Sequence, residues 1–396
     1  TYTQSTSDAH EYLQDIQSGL ARLLHACDER ATDVYVHYSH PSIHGAFITG
    51  GETLYRDNRN GWIKAIEDSG LQMKFLAYAQ LEQGELTRLM PAVFVLPYSL
   101  ALSDAEAAEI RGYVEAGGTL IADARTGLMT EHCRPRATGA LDDLFGIKRA
   151  SVAPKAKRPE GKVAFTGHLE GCDPRDISFD GFGGEPGVSL AGGQALGEMA
   201  GLPLLIVNSV GKGRAVLLNL FLDSYPRRRE VGVGEPVREL IEKALALAGV
   251  EPQVKTIVAQ APSPVQMNGD QHLYLARYLS GDAAYLGVLR DTSEGRSNVR
   301  LRFAAPCHLY DLRRGEYLGK TAETAALIAP GHCKVFSLLP YRVAEVRVQV
   351  GGREHKPGDV VRCRVAVQTE GGSAGMHVYR LEITDPAGQT CDYYGG

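Results

Sequence analysis

Apolar and polar positions follow a helical period in some stretches of this chain and form short apolar runs in others. Asp8–Ala26 places Tyr12, Ile16, Leu20, Leu23 and Leu24 at spacings of three and four, which predicts an amphipathic helix. Val34-Tyr35-Val36-His37-Tyr38 predicts a strand, and Met73–Tyr78 a second one. Between them, Arg59–Asp68 predicts a helix with Trp62, Ile63 and Ile66 on one side and Gly70 beyond its end. Val93-Phe94-Val95-Leu96 predicts a buried strand closed by Pro97. Ser103 and Glu106 have the spacing of a capping box, in which side chain and backbone satisfy each other's unpaired groups. The helix they open carries Ile110, Tyr113 and Val114 and stops at Gly117-Gly118. Thr119–Ala122 is then another short buried strand. Alternating strand and helix with short connections is the pattern of a parallel sheet covered on both faces. Two apolar runs within Leu204–Leu220 flank Val210-Gly211-Lys212-Gly213, which predicts an antiparallel hairpin. Val237–Leu247 closes the α/β part as a helix, with Gly249 after it.

The pattern changes after Glu251-Pro252. Short alternating runs replace helical periods: Leu273–Tyr278, Ala284–Leu289, Val299–Phe303, His308–Leu312 and Cys333–Leu338. These predict an all-β sandwich. A further β unit begins at Val343, with Val346–Val350, Val360–Val367 and His377–Ile383 as its strands. So few strands cannot close a sandwich without exposed edges, so this last unit reads as cut short.

The chain has 396 residues and a net charge of −5, with 44% hydrophobic and 22% charged residues. That balance is globular, and it excludes a protein built to coat nucleic acid, which needs a basic excess. No apolar run is long enough for a membrane helix, and Thr1–His10 is too polar for a cleavable signal. Thr1 in place of an initiating Met predicts a processed chain, or one excised from a longer protein. The seven cysteines are scattered and form no C-x-x-C pair, which argues against a zinc ribbon or a redox motif. The compartment stays open; the β modules lean it towards an extracellular or periplasmic location.

Four segments stand out: His37-Tyr38-Ser39 with Pro41-Ser42; Gly117–Ala122 followed by Thr126–Glu131; Leu141-Asp142-Asp143-Leu144-Phe145-Gly146; and Gly211–Ala215. Together they resemble the non-catalytic part of family 42 glycoside hydrolases, the β-galactosidase-like enzymes. Tyr310–Gly319 resembles a sandwich segment of large carbohydrate-active proteins, and the last unit resembles Ig-like or macroglobulin-type modules. The resemblance spans about 8–340. It implies a linker helix over 1–29 from an absent upstream barrel and a flavodoxin-like domain over 30–252, similar to class I glutamine amidotransferases and serving trimerisation. It further implies a β-sandwich over 253–341 and an Ig-like unit over 342–396. An amidotransferase needs a Cys on a strained turn and a His–Glu pair to activate it. The matching positions read Ala122-Asp123-Ala124-Arg125-Thr126 and Asn219-Leu220-Phe221-Leu222-Asp223, with neither Cys nor His.

His37, His40 and His44 form H-x2-H-x3-H, a spacing that invites a metal reading, yet Pro41 is expected to break regular structure between them. No metal and no cofactor is expected. The same segment lies outside the carboxyl end of a parallel strand, where α/β proteins bind ligands. There His37, Tyr38, His40, Asp123 and Arg125 are the candidate ligand-binding residues, although an inherited, inactive site accounts for the same pattern. Asp142-Asp143 reads as solvation at a helix end, Arg227-Arg228-Arg229 as a solvated loop, and Gly211-Lys212-Gly213 as a turn without phosphate-loop spacing. The functional expectation is a structural, self-associating portion of a multidomain carbohydrate-active protein, a trimer by resemblance. Carbohydrate is a possible ligand; nucleic acid and membrane are not expected partners. Two other readings stand beside it: a hydrolytic site using His37 and Asp123, and a glycan- or protein-binding module using Tyr393 and Tyr394.

Overall fold

The computed structural model describes residues 13–150, 157–165, 177–178, 181–258, 273–290, 297–352, 354–356 and 358–391. Tyr393, Tyr394, Cys172 and the first turn of the predicted Asp8–Ala26 helix lie outside the described residues. The chain divides into two units. One is Thr32–Gln253 with Pro262–Leu273; the other is Thr1–Ala31 with Val254–Ala261 and Tyr274–Gly396.

The first unit is mixed α/β. Its elements in order are β1 (Val34–Tyr38), α1 (His40–Ile48), α2 (Glu52–Asp68), β2 (Met73–Ala77), α3 (Tyr78–Glu82), α4 (Glu85–Leu89), β3 (Val93–Leu96), α5 (Asp104–Ala116) and β4 (Thr119–Ala122). There follow α6 (Asp142–Phe145), β5 (Ile147–Arg149), β6 (Lys162–Phe165), β7 (Ile177–Ser178), β8 (Val188–Leu190), β9 (Gln194–Met199), β10 (Leu202–Val210), β11 (Gly213–Leu218), α7 (Tyr225–Glu230) and α8 (Glu235–Ala246). One nine-stranded sheet runs in the order β2-β1-β3-β4-β11-β10-β9-β6-β7. The first five strands are parallel, and β10 turns back antiparallel to β11, with Asn208 opposite Ala215.

Alternation along the strands explains the two cores. Val93 and Val95 of β3, with Val34, Val36, Ile121 and Val216, face Trp62, Ala65 and Ile66 of α2 and Leu240, Ile241 and Ala244 of α8. Phe94 and Leu96, with Leu120, Ala122, Ala215 and Leu217, face Ile110, Tyr113 and Val114 of α5. A strand covered on both sides is apolar on both faces, which is why β3 reads as an unbroken run and β4 as one after Thr119. The Ser103 hydroxyl accepts from the Glu106 amide at 3.1 Å, while the Glu106 carboxylate accepts from the Ser103 amide at 2.7 Å, closing the predicted box.

Three local readings are corrected. Pro41 does not break structure: it occupies the first turn of α1, where a missing N–H costs nothing, and Ser39 caps the helix. Arg227–Arg229 is not a solvated loop but lies in α7, and buried Arg229 forms a forked pair with Asp68 at 2.8 and 2.9 Å. Asp142 is buried against Arg149, whereas Asp143 is exposed and pairs with Arg111 at 2.5 Å.

The second unit opens with a helix that is interrupted at Ser18-Gly19, where Gly19 takes φ 87°, and resumes as Leu20–His25. Its main sheet has seven strands. Along the main path they are Glu29–Arg30, Leu273–Ser280, Ala283–Arg290, Cys333–Leu339, Ser297–Asp311 and Val254–Val258. Glu316–Ile328 pairs with Ser297–Asp311 off that path. The predicted runs Val299–Phe303 and His308–Leu312 are one long strand with an irregularity between Arg302 and Cys307. A separate two-stranded sheet pairs Arg342–Val350 with Cys363–Glu370. His377–Ile383, predicted as a strand, is irregular.

Candidate functional site

The carboxyl ends of β1, β3, β4 and β11 meet above the parallel part of the sheet. His37 and Asp123 lie at the ends of β1 and β4, and both are buried, at 2% and 0% exposure. They belong to two separate hydrogen-bond sets.

In the first set, His37 Nε2 is 3.0 Å from Glu106 Oε1 and His37 Nδ1 is 2.9 Å from Ser99 Oγ. A carboxylate only accepts, so Nε2 carries a proton towards Glu106. Ser99, His37 and Glu106 thus stand in the order nucleophile, base and orienting acid. Yet Ser99 is 2% exposed and Glu106 is fully buried, so no substrate atom can reach the hydroxyl. The same Glu106 carboxylate also caps α5, which gives it a structural duty whatever His37 does.

The second set is centred on Asp123. Its Oδ2 accepts from Asn58 Nδ2 at 2.5 Å and Trp62 Nε1 at 2.7 Å, and its Oδ1 accepts from the Tyr98 amide at 2.6 Å. Asn58 Oδ1 in turn accepts from the Leu222 amide at 2.6 Å. One carboxylate therefore ties α2 to the loops that follow β3 and β4, and Asn58 extends the tie to the segment after β11. Gly61 lets α2 come this close: a Cβ there would stand 2.1 Å from the Leu222 carbonyl oxygen. Burial pushes the Asp123 carboxyl up to about 7, outweighing the three donors that favour its charged form.

Arg125 sits on the turn after β4 with φ 64°, and Tyr98 on the turn after β3 with φ 45°. Left-handed backbone at non-glycine residues costs energy and is often kept at ligand sites. Here the strained turn delivers packing. The Arg125 amide donates to buried Glu185 at 2.7 Å, and its guanidinium donates to the Tyr98 hydroxyl at 3.2 Å and lies 5.8 Å from the Phe221 ring centroid. Arg158 covers the same ring at 4.1 Å and pairs with Asp223 at 3.0 Å. Tyr98, Phe221 and Tyr55 fill the space a crevice would need, and burial pushes the Tyr55 and Tyr98 phenols up.

Tyr38 and His40 are placed elsewhere. They join Phe75, Tyr78 and His44 in an aromatic cluster at the β2 edge of the sheet, with the Tyr38 and His40 rings 5.3 Å apart. The five candidates thus divide three ways: His37 with Ser99 and Glu106, Asp123 and Arg125 around Tyr98, and Tyr38 with His40 at the edge. No group of three or more His, Cys, Asp or Glu is placed to hold a metal among the described residues. Sequence reasoning missed Asn58, Trp62, Ser99 and Glu106 as partners of this polar core. The capping box marked Glu106, but nothing local marked its second bond.

Residues 48–228 match the family model described as the beta-galactosidase trimerisation domain, so the resemblance anticipated above holds. Solved structures of β-galactosidases are similar to the chain. That from Bacillus circulans sp. alkalophilus has a TM-score of 0.51 at 16% identity, covering 78% of this chain and 41% of that one. Gan42B, a GH42 beta-galactosidase from G. stearothermophilus, has a TM-score of 0.54 at 14% identity, covering 78% and 40%. The enzyme from the Antarctic haloarchaeon Halorubrum lacusprofundi has a TM-score of 0.50 at 14% identity, with the same coverage. At such identities the likeness is one of fold. The chain spans about two-fifths of the length of these structures. No curated protein matches it.

Proposed function

We propose, from the premise that residues 48–228 carry a trimerisation-domain sequence, that this chain is the non-catalytic, self-associating portion of a larger β-galactosidase-like protein. The observation that carries the reading is that the sheet's carboxyl end, where such folds bind ligands, is closed by residues bonded to one another. His37 is held by Ser99 and Glu106, and Asp123 by Asn58, Trp62 and Tyr98. Buried groups committed to their neighbours hold a fold together and are not available to a substrate.

The finer architecture belongs to the same proposal. The order β2-β1-β3-β4 supports a flavodoxin-like, amidotransferase-like scaffold for 30–252. The long strand Ser297–Asp311 pairs with Val254–Val258 before its irregularity and with Cys333–Leu339 after it, which supports a sandwich over 253–341. The pair Arg342–Val350 and Cys363–Glu370 supports a separate Ig-like unit over 342–396. Carbohydrate is then the substrate class of the larger protein and reaches residues outside this polar core.

The test pairs two measurements on the full chain. Light scattering at tens of micromolar should give a mass above one chain, and an aryl galactoside should not be turned over. A monomer removes the assembly role. Turnover abolished by Ser99→Ala or His37→Gln restores the hydrolytic reading.

A further inference from the structure

We propose that a basic cleft in the second unit binds an acidic sugar, a saccharide ring carrying one carboxylate. The sugar ring rests on the carbohydrate reading above; the acid group rests on the charges of the cleft. The cleft, of about 550 Å³, opens where the strand Ser297–Asp311 ends and Cys333–Leu339 begins. The turn after the first strand brings Arg313 and Arg314 to it, the second strand brings Lys334, and the segment leading into that strand brings Leu327, Ala329 and His332.

Its walls are held in place by the fold. Arg313 donates to the Cys333 carbonyl at 2.7 Å and to the Asp15 carboxylate. Lys334 Nζ donates to Asp311 at 3.2 Å, and Asp311, 5% exposed, also accepts from the Arg314 amide at 3.2 Å. Buried Arg290 pins the segment opposite in sequence, donating from Nε to the Ile328 carbonyl at 2.9 Å and from its amide to the His332 carbonyl at 3.3 Å. Arg313, Arg314 and Lys334 thus meet the two carboxylates Asp15 and Asp311, an excess of one positive charge, which one added carboxylate neutralises. Donors remain to receive it. An ammonium has three, and the bond to Asp311 occupies one of those on Lys334. The exposed Arg314 guanidinium stands 3.9 Å from Asp311, too far for a hydrogen bond, and its planar fork matches a carboxylate. A cleft of this size is in the range of small-molecule sites and more than a bare ion fills. Half-exposed Leu327 and Ala329 suit the C–H face of a sugar ring, and the His332 imidazole suits a hydroxyl.

The experiment is a titration of the full chain followed by NMR or calorimetry, with galacturonate, galactose and inorganic sulfate as probes. Galacturonate should bind more tightly than either of the others, and more weakly as salt is raised. Arg314→Gln/Lys334→Gln should weaken it at least about tenfold, as loss of charge-assisted hydrogen bonds requires. If the double variant melts below the wild type, Arg314→Gln alone, at an exposed side chain, repeats the measurement and should still weaken binding. Galactose binding as tightly as galacturonate shows that charge is not read and overturns the proposal. Sulfate binding as tightly shows a site for an ion without a sugar, and overturns it too. No binding of galacturonate, or binding equal in both variants, removes this cleft as the site. None of these outcomes bears on the mass of the chain in solution, so the self-association reading stands or falls separately.

Discussion

Replacing Asp123 by alanine separates a structural polar core from a retained active site. The change leaves Asn58 Nδ2–H, Trp62 Nε1–H and the Tyr98 amide without their acceptor, at positions that are 0%, 0% and 1% exposed. Each buried donor left unpaired costs about 1–3 kcal/mol, so the gross loss is several kcal/mol. A counter-term depends on pH. The Asp123 carboxyl rises from an ordinary 3.8 to about 7 because burial penalises its charged form. Between those values the folded state holds a proton that the unfolded state has released, so wild-type stability falls as pH rises through this window and levels off above it. From pH 5 to the upper end the fall is about two pH units, or roughly 2–3 kcal/mol. Alanine at 123 has no such group. Urea unfolding should therefore show Asp123→Ala less stable than wild type by about 3 kcal/mol or more at pH 5, with the gap narrowing by roughly 2 kcal/mol at pH 8. A variant as stable as wild type at pH 5, or more stable, would refute the reasoning: it would mean that the carboxylate is kept at a cost to stability, as functional groups are. A gap of constant size across pH would refute the role given to burial.

Other substitutions probe the same scaffold. Gly61→Ala should destabilise by about 1–3 kcal/mol despite alanine's better helix propensity, because its Cβ meets backbone at 2.1 Å; a stabilised variant on thermal melting would show that α2 can move away. Ser103→Ala removes the cap of α5 and should cost about 1 kcal/mol in urea unfolding, with no change expected in association. Arg229→Met takes the guanidinium from the buried Asp68 carboxylate and leaves it the Tyr225 hydroxyl at 2.8 Å, which should cost about 3 kcal/mol, while a loss near zero would mean that water reaches the pair. A fluorophosphonate probe should leave Ser99 unlabelled, since the hydroxyl is 2% exposed; labelling seen by peptide mass spectrometry would show that the Ser99–His37–Glu106 set opens.

The parallel sheet was legible because burial on both faces writes itself into sequence: Val93–Leu96 is apolar throughout, and Thr119–Ala122 is apolar after its first residue. The Ser103–Glu106 box was legible because both partners are local. Helix α1 was missed because Pro41 was weighed as a breaker and not as a first-turn residue. The polar core was only half visible. His37 and Asp123 stood at strand ends, where position alone flags them, but their partners lie 62, 69, 65, 61 and 25 residues away. Arg229 shows the same limit: a basic triplet looks solvated until Asp68, at a separation of 161 residues, is brought beside it. The separate Val299–Phe303 and His308–Leu312 runs merged because a register irregularity bends a strand without ending it.

Sedimentation equilibrium of the full chain at several micromolar concentrations tests the central claim most directly. A self-associating scaffold predicts a mass that rises with concentration towards three chains. A single-chain mass that holds to the highest concentration reached would contradict the account.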